Sequence, residues 1–151
     1  MSDDRRVLLV KATENRNSRR TLREEFLLLS NLTSPFFAQA CDLVEDEHTC
    51  LVLNDVAGLP FNEHLAIRAF TSDQLLQVAR QLVSATKERH SHRLLYCNYS
   101  PDGIFYHRES QSLTLMDFSA VLDMDSQHRE AEATMAYHSP ELTGMLGREI
   151  D

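Results

Sequence analysis

The sequence is poor in cysteine and has no long apolar run, and each absence excludes a class of protein. Its three cysteines, Cys41, Cys50 and Cys97, lie in separate segments without the close spacing of a zinc knuckle or a redox pair. We expect them to be reduced thiols that are mostly buried. No stretch reaches the roughly 20 apolar residues that a membrane-spanning helix needs, and the acidic start Met1–Asp4 is unlike a secretory leader. These features predict a cytoplasmic protein.

Basic side chains are also scarce. The chain has 15 lysines and arginines against 23 acidic residues, which gives a formal charge of −8. An acidic protein repels polyanions at long range, so this charge disfavours a passive nucleic-acid or anionic-membrane surface. With 151 residues, 42% of them hydrophobic, the chain is long enough for one folded domain with a real core. We therefore expect a globular protein that contacts neither nucleic acid nor membrane.

The first part of the chain predicts a strand followed by an amphipathic helix. Arg6–Ala12 is predicted to be a strand, in which Lys11 follows a nearly continuous apolar run that suggests burial on both faces. A helix is predicted over Ser18–Leu32, with its first residue as the cap and apolar residues at i, i+4 and i+7. At about 100 degrees per residue, Glu25 lies close to this apolar stripe, whereas Glu24 points away from it. Glu25 is thus the carboxylate expected beside the core.

The rest of the chain predicts further strands and two helices. Thr71 and Gln74 can form a capping box before a long helix with a broad apolar face. The polar turn Arg108–Gln111 joins two short segments as a hairpin. The predicted elements are strands at Ala38–Glu45 and Thr49–Asn54, helices at Asn62–Arg68 and Ser72–His90, and hairpin strands at Ile104–His107 and Ser112–Met116.

Six short motifs follow one another along the chain. They are Val10-Lys11-Ala12 on the first strand, Glu25 on the first helix, the segment Leu53–Gly58, the loop Leu95–Ile104, the triplet Asp117-Phe118-Ser119 and the triplet Ser139-Pro140-Glu141. In this order they resemble the lysine strand, the paired glutamate, the hinge, the catalytic loop, the Asp-Phe-Gly motif and the Ala-Pro-Glu motif of protein kinases. The run Tyr137–Gly144 is similar to the serine/threonine-kinase-like domains of large bacterial hybrid signalling proteins. By this resemblance the chain is identified as a member of the protein kinase superfamily.

The resemblance implies an α+β fold in a single kinase-like domain over residues 1–151. Residues from about 1 to 56 would form part of the N-lobe, an antiparallel sheet with one helix and the hinge, and about 57 to 151 the start of a mainly helical C-lobe. About ten residues precede Lys11, none of them glycine, so we expect a truncated domain without the Gly-rich loop and without the last C-lobe helices. Surfaces that these parts normally cover should stay apolar. They would attract a protein partner or the remainder of a larger signalling protein.

The resemblance also implies a nucleotide site for ATP and Mg²⁺. Lys11, oriented by Glu25, would reach the phosphates, and Asp117 would bind the metal. The implied adenine contacts are the backbone of Asn54 and Val56 and the side chains of Leu53 and Phe105. Because Asp117 would be almost alone as a charged metal ligand, nucleotide binding is expected to be weak.

The loop that resembles the catalytic loop departs from the chemistry of phosphoryl transfer. Asn98 stands where a carboxylate should accept the proton of the attacking hydroxyl, and an amide cannot accept it. Gly103 replaces an amide that holds the second magnesium, Ser100 replaces a lysine, and Cys97 replaces an arginine. Asp102 lies one residue short of the metal position. Loss of the base alone costs about 10²–10⁴ in rate, so ordinary kinase turnover is not expected.

Three functions follow from this combination of matches and departures. The first is a pseudokinase, a degenerate signalling module that binds ATP weakly through Lys11, Glu25 and Asp117 and does not transfer phosphate. The second is an active serine/threonine protein kinase that uses the same residues with an atypical catalytic loop. The third is a protein-interaction scaffold that never binds nucleotide.

Overall fold

The computed structural model describes residues 8–96, 99–116, 118, 121–123 and 137 of the chain. Within these residues the backbone forms three helices and eight strands, and each pair of neighbouring strands is antiparallel. Helices and antiparallel sheets together make an α+β fold, which confirms the predicted fold class.

The chain divides into two compact units, Met1–Ala57 and Gly58–Asp151. The elements of the first unit are β1 (Leu8–Thr13), α1 (Arg16–Asn31), β2 (Ala40–Glu45) and β3 (Thr49–Asn54). Those of the second unit are β4 (Leu59–Pro60), α2 (Phe61–Ile67), α3 (Ser72–Ser91), β5 (Leu94–Tyr96), β6 (Ile104–His107), β7 (Ser112–Leu115) and β8 (Val121–Asp123).

The core of the first unit lies between α1 and an antiparallel sheet in the order β1-β3-β2. Thr49, Leu51 and Leu53 alternate along β3 and are fully buried. Leu22 and Leu29 of α1 are also buried, and α1 contacts all three strands. Alternating burial of this kind is expected for a sheet with one covered face.

Strand β1 lies at an edge of this sheet, and the expectation that both of its faces are buried is wrong. Among the described strands it pairs with β3 alone, and Val10 is 52% exposed. The covered face of β1 carries Lys11, because Lys11 lies directly opposite the buried Leu51 and cross-strand partners share a face. An apolar run indicates a strand but does not reveal that the strand is an edge.

Helix α1 begins two residues earlier than Ser18, the cap expected from the sequence. Asn15 is the observed N-cap, and its side-chain oxygen accepts a hydrogen bond of 2.9 Å from the Asn17 N–H. Two arginines then fix the helix against the β2–β3 hairpin. Arg23 Nε lies 2.5 Å from Glu45 Oε1, and Arg19 donates to the Glu47 carbonyl.

Helix α3 is the longest helix of the described residues, and its capping box is confirmed. The Thr71 side chain accepts from the Gln74 N–H, and the Gln74 side chain accepts from the Thr71 N–H. The expected broad apolar face is only partly covered. Val78 and Ala85 are buried, but Val83 is 68% exposed.

The hairpin of β6 and β7 is confirmed, with Gln111 in the left-handed region (φ 53°) at its turn. β4 pairs with the other edge of β6, and β5 pairs with β8. Gly58 precedes β4 with φ 104°, and a Cβ added there would lie 2.6 Å from the Tyr106 carbonyl carbon. Only glycine therefore allows this close approach of β4 to β6.

The cysteines differ from the expectation that they are mostly buried. Cys41 is exposed and Cys50 is half-buried, and both are free thiols. Cys41 lies at an irregular position of β2, where the pairing register with β3 shifts. Cys97 lies outside the described residues.

Candidate functional site

A lysine and a glutamate meet on the covered face of the first sheet. Lys11 Nζ of β1 lies 2.6 Å from Glu25 Oε1 of α1. Glu25 is 2% exposed, in agreement with its predicted place beside the core, whereas Glu24 forms an exposed contact of 2.9 Å with Arg20. The sheet face and the third turn of α1 thus bring together two residues that are 14 positions apart.

The electrostatics of this pair hold the ammonium group in one place. A buried carboxylate is costly unless a cation or hydrogen-bond donors compensate it. The Glu25 side chain is almost completely buried, but that of Lys11 keeps 28% of its surface exposed. Lys11 is therefore held by Glu25, and its side chain stays partly exposed. A positioned ammonium group of this kind is suited to a phosphate oxygen.

The end of β3 carries the residues predicted to contact adenine. Leu53 is fully buried, Asn54 is exposed and Val56 is half-buried. The Asn54 N–H donates to the Gln39 carbonyl at 2.9 Å, and the Asn54 side chain accepts from Cys41 Sγ at 2.8 Å. Because the N–H is already engaged, a backbone contact of Asn54 with a nucleotide would use its carbonyl oxygen. The adenine role of these residues stays a prediction.

The described part of the loop that resembles the catalytic loop is tied down within the second unit. The Gly103 N–H donates to the Ser100 carbonyl at 3.1 Å, and the Gly103 carbonyl accepts from the Met116 N–H at 2.9 Å. The Pro101 carbonyl accepts from the N–H of Phe61. Ser100 and Gly103 are buried. Residues 100–103 of the loop thus form a turn that hydrogen-bonds to the start of α2 and to the residue after β7.

Asp102, one residue short of the implied metal position, has a partner of its own. Its Oδ1 accepts from the side-chain amide of Asn62, at the start of α2. This contact links residues 40 positions apart and has no signal in the sequence. Among the described residues no group of three or more His, Cys, Asp or Glu side chains is placed to hold a metal ion.

The remaining predicted site residues are distributed as follows. Phe105 is half-buried on β6, on the face opposite that of Ile104 and Tyr106. Phe118 is 3% exposed. Asn98 and Asp117 lie outside the described residues. The structure therefore brings Lys11 and Glu25 together, and the predicted roles of the other site residues remain predictions.

The structure also contains a polar cluster that sequence reasoning missed. Arg108 Nε donates to His64 Nδ1 at 3.0 Å, its Nη2 donates to the Arg68 carbonyl at 2.7 Å, and its guanidinium lies 4.5 Å from the Phe70 ring centroid. His64 Nε2 donates to the Tyr106 carbonyl at 2.6 Å. With one nitrogen donating and the other accepting, buried His64 is a neutral imidazole in its Nε2–H tautomer. The cluster connects α2 to the hairpin turn, where Arg108 was expected only as a turn residue.

Comparison with known families identifies the class of protein that carries this lysine–glutamate pair. The family described as the protein kinase domain matches residues 3–151, which is nearly the whole chain. The chain therefore belongs to the protein kinase family, and the predicted resemblance is confirmed. A comparison with curated proteins found no match. No helix in the described part of the chain is both long and apolar enough to cross a membrane.

Proposed function

We propose that this kinase-like domain is a pseudokinase: a signalling module that binds magnesium-ATP weakly and does not transfer phosphate. The observation that supports nucleotide binding is the contact of 2.6 Å between Lys11 and the buried Glu25. Members of the family generally use ATP and Mg²⁺, and a lysine held in this way fits the phosphates of the nucleotide. Nucleotide, when bound, would supply the phosphate charge that Lys11 neutralises.

The chemistry of the loop argues against phosphoryl transfer. Asn98 cannot accept a proton from an attacking hydroxyl, and Gly103 has no side chain to hold a second magnesium. Asp102 lies one residue short of the position of that amide, and its Oδ1 accepts a hydrogen bond from the Asn62 side chain. Asp117 would then be the main charged metal ligand, which supports weak rather than tight binding. We also propose a cytoplasmic setting, with a protein partner or the rest of a larger signalling protein.

Thermal unfolding with and without magnesium-ATP tests nucleotide binding. A ligand at about 100 times its dissociation constant stabilises the folded state by about 2.7 kcal/mol. We expect a rise in melting temperature that is lost in Lys11→Met and Asp117→Ala. Arg20→Met is the matched control, because Arg20 forms an exposed ion pair with the neighbouring Glu24 on the same helix. No rise in the unsubstituted protein would refute nucleotide binding and favour the scaffold function.

Incubation with labelled ATP and magnesium tests the absence of phosphoryl transfer. We expect the protein to incorporate no more label into itself or into a generic acceptor than its Asp117→Ala variant does. Incorporation above that variant would show an active kinase and refute the pseudokinase proposal. The two assays separate the three functions, because only an active kinase incorporates label and only a scaffold shows no shift with nucleotide.

A further inference from the structure

A groove with largely apolar walls lies within the second unit, along the C-terminal half of α3. Its volume is about 690 Å³. Phe61, Leu82, Val83 and Ile104 contribute to its apolar walls. The hydroxyls of Thr86 and Tyr99, which also line it, already hydrogen-bond to each other. A volume of this order is large enough for a ligand or for the side chains of a docked segment.

The apolar surface continues along α3 beyond the groove. Leu75, Leu76 and Val83 are 45%, 52% and 68% exposed. Leu75, Val83 and His90 lie on one side of α3, because an α-helix repeats every 3.6 residues. The 15 positions from Leu75 to His90 span about 22 Å. A small molecule in the groove would leave the N-terminal part of this strip uncovered. Together the strip and the groove extend over about four helical turns, which favours an elongated occupant.

The charges along the groove indicate the chemistry of that occupant. The groove is lined by two basic residues, Lys87 and His90, and by no described acidic residue. Its other ionisable side chains are those of Tyr99 and Tyr137. Lys87 is positive, and His90 carries no negative charge in either protonation state. This is a local exception in a chain with a net charge of −8. A second copy of the chain would bring the same strong negative charge, so mutual repulsion disfavours it as the occupant.

We propose that the groove and the apolar strip of α3 dock an amphipathic helix of a partner protein. Apolar residues of that helix at i, i+3, i+4 and i+7 would pack on Leu82 and Val83, and its acidic residues would lie beside Lys87 and His90. The inference names the kind of partner for the proposed signalling module and rests on that proposal for its biological role. Peptide binding is measured without nucleotide, so failure here leaves the nucleotide proposal standing, and the reverse also holds.

Designed peptides of about 18 residues test the proposal, since this length covers the strip at 1.5 Å per residue. Two peptides share the same pattern of leucines: the glutamate peptide has glutamates beside the leucines, and the lysine peptide has lysines there. A third, scrambled peptide has the residues of the glutamate peptide in another order. Binding to the full chain is followed by fluorescence anisotropy. We expect the glutamate peptide to bind about fivefold more tightly than the lysine peptide, because Lys87 attracts the glutamates and repels the lysines. This preference should shrink at high salt and disappear in Lys87→Gln/His90→Gln.

Substitutions in the wall show whether the peptide lies in the groove. Val83→Asp should weaken both patterned peptides at least about tenfold, because it places a charge against their apolar face. Leu27→Asp is the matched control, since Leu27 is 62% exposed on α1 in the other unit. It should leave binding unchanged.

Four results would overturn the proposal. They are no saturable binding of the glutamate peptide, equal binding of the scrambled peptide, no charge preference, and an unchanged affinity in Val83→Asp. Two further results would assign the groove to another occupant and refute the helix. In the first, dodecanoate, a fatty acid, binds more tightly than the glutamate peptide and Val83→Asp weakens its binding. In the second, the chain forms a dimer that Val83→Asp dissociates.

Discussion

Replacing Lys11 by methionine removes the cation that contacts a buried carboxylate. Glu25 Oε1 lies 2.6 Å from the ammonium group, and the Glu25 side chain is 1% exposed against 28% for Lys11. Methionine keeps the length and the apolar stem of the side chain, so the change removes charge more than packing. Lys11→Met is therefore a test of how strongly the fold of the first unit depends on this ion pair.

The expected cost follows from the unequal burial of the two partners. Removing one member of a fully buried pair costs about 3–5 kcal/mol, because the remaining charge stays in a low-dielectric site. Lys11 is partly exposed and Glu25 has further interactions, so water and other groups compensate part of the loss. We expect Lys11→Met to lower the free energy of unfolding of the first unit by about 2–3 kcal/mol. Adding Glu25→Leu should recover much of this loss, because the double variant no longer contains the buried carboxylate of Glu25.

Hydrogen exchange of the β1 and β3 amides is the appropriate assay, because it reports opening of the first unit by itself. Arg20→Met is the control, since the Arg20–Glu24 pair on the same helix is exposed (75% and 37% for the side chains). An exposed pair four residues apart contributes only about 0.3–0.5 kcal/mol. Equal protection in Lys11→Met and Arg20→Met, or no recovery in the double variant, would refute the argument from burial.

Three further substitutions test the second unit. Gly58→Ala should destabilise this unit by about 2 kcal/mol or more, because a Cβ at φ 104° meets the Tyr106 carbonyl. Urea unfolding, monitored by tyrosine fluorescence, measures this loss. Thr71→Ala should cost about 1 kcal/mol through loss of the capping box, measured by circular dichroism of the helices during unfolding. Arg108→Met should lower the free energy of unfolding by about 1–2 kcal/mol, because it removes the hydrogen bonds to His64 and to the Arg68 carbonyl. In the unsubstituted protein, ¹⁵N NMR should show His64 as the Nε2–H tautomer.

Two of these substitutions have a control variant, and each prediction has a contrary outcome. All four tyrosines of the chain lie in Gly58–Asp151, so tyrosine fluorescence reports on the second unit. Ser72→Ala is the control for Thr71→Ala, and Glu109→Ala is the control for Arg108→Met, because each alters an exposed neighbour. Each control should change the free energy of unfolding by no more than about 0.5 kcal/mol. An unchanged urea midpoint in Gly58→Ala, or equal effects of Thr71→Ala and Ser72→Ala, would contradict the structural reasons given. An Nδ1–H signal for His64 would contradict the polarity of its contacts.

Local sequence patterns were sufficient for elements whose signals lie within a few residues. The capping box of α3 requires only Thr71 and its neighbour three positions later, and the hairpin requires two short alternating runs and a polar turn. Helical periodicity likewise distinguished the buried Glu25 from the exposed Glu24. Strands β4 and β5 escaped prediction because two or three residues are too few to show alternation.

Contacts between distant positions could not be predicted in this way. The links from Asn62 to Asp102 and from His64 to Arg108 join residues 40 and 44 positions apart. Neither pair belongs to a recognisable motif, so nothing in either segment indicates its partner. The pairing of Lys11 with Glu25 was predicted because a family resemblance supplied what local patterns lack.

The sequence by itself determined the family, the α+β class and most helix and strand positions, because these depend on motif order, caps and periodicity between near neighbours. Tertiary structure decided which apolar residues are covered. Val10 and Val83 belong to apolar patterns but remain 52% and 68% exposed, whereas Leu51 and Ala85 are fully buried. Burial depends on which element packs against a face, and that choice is made by contacts between distant segments. Packing within the first unit holds Lys11 against Glu25, and packing within the second unit leaves Leu75, Leu76 and Val83 of α3 exposed.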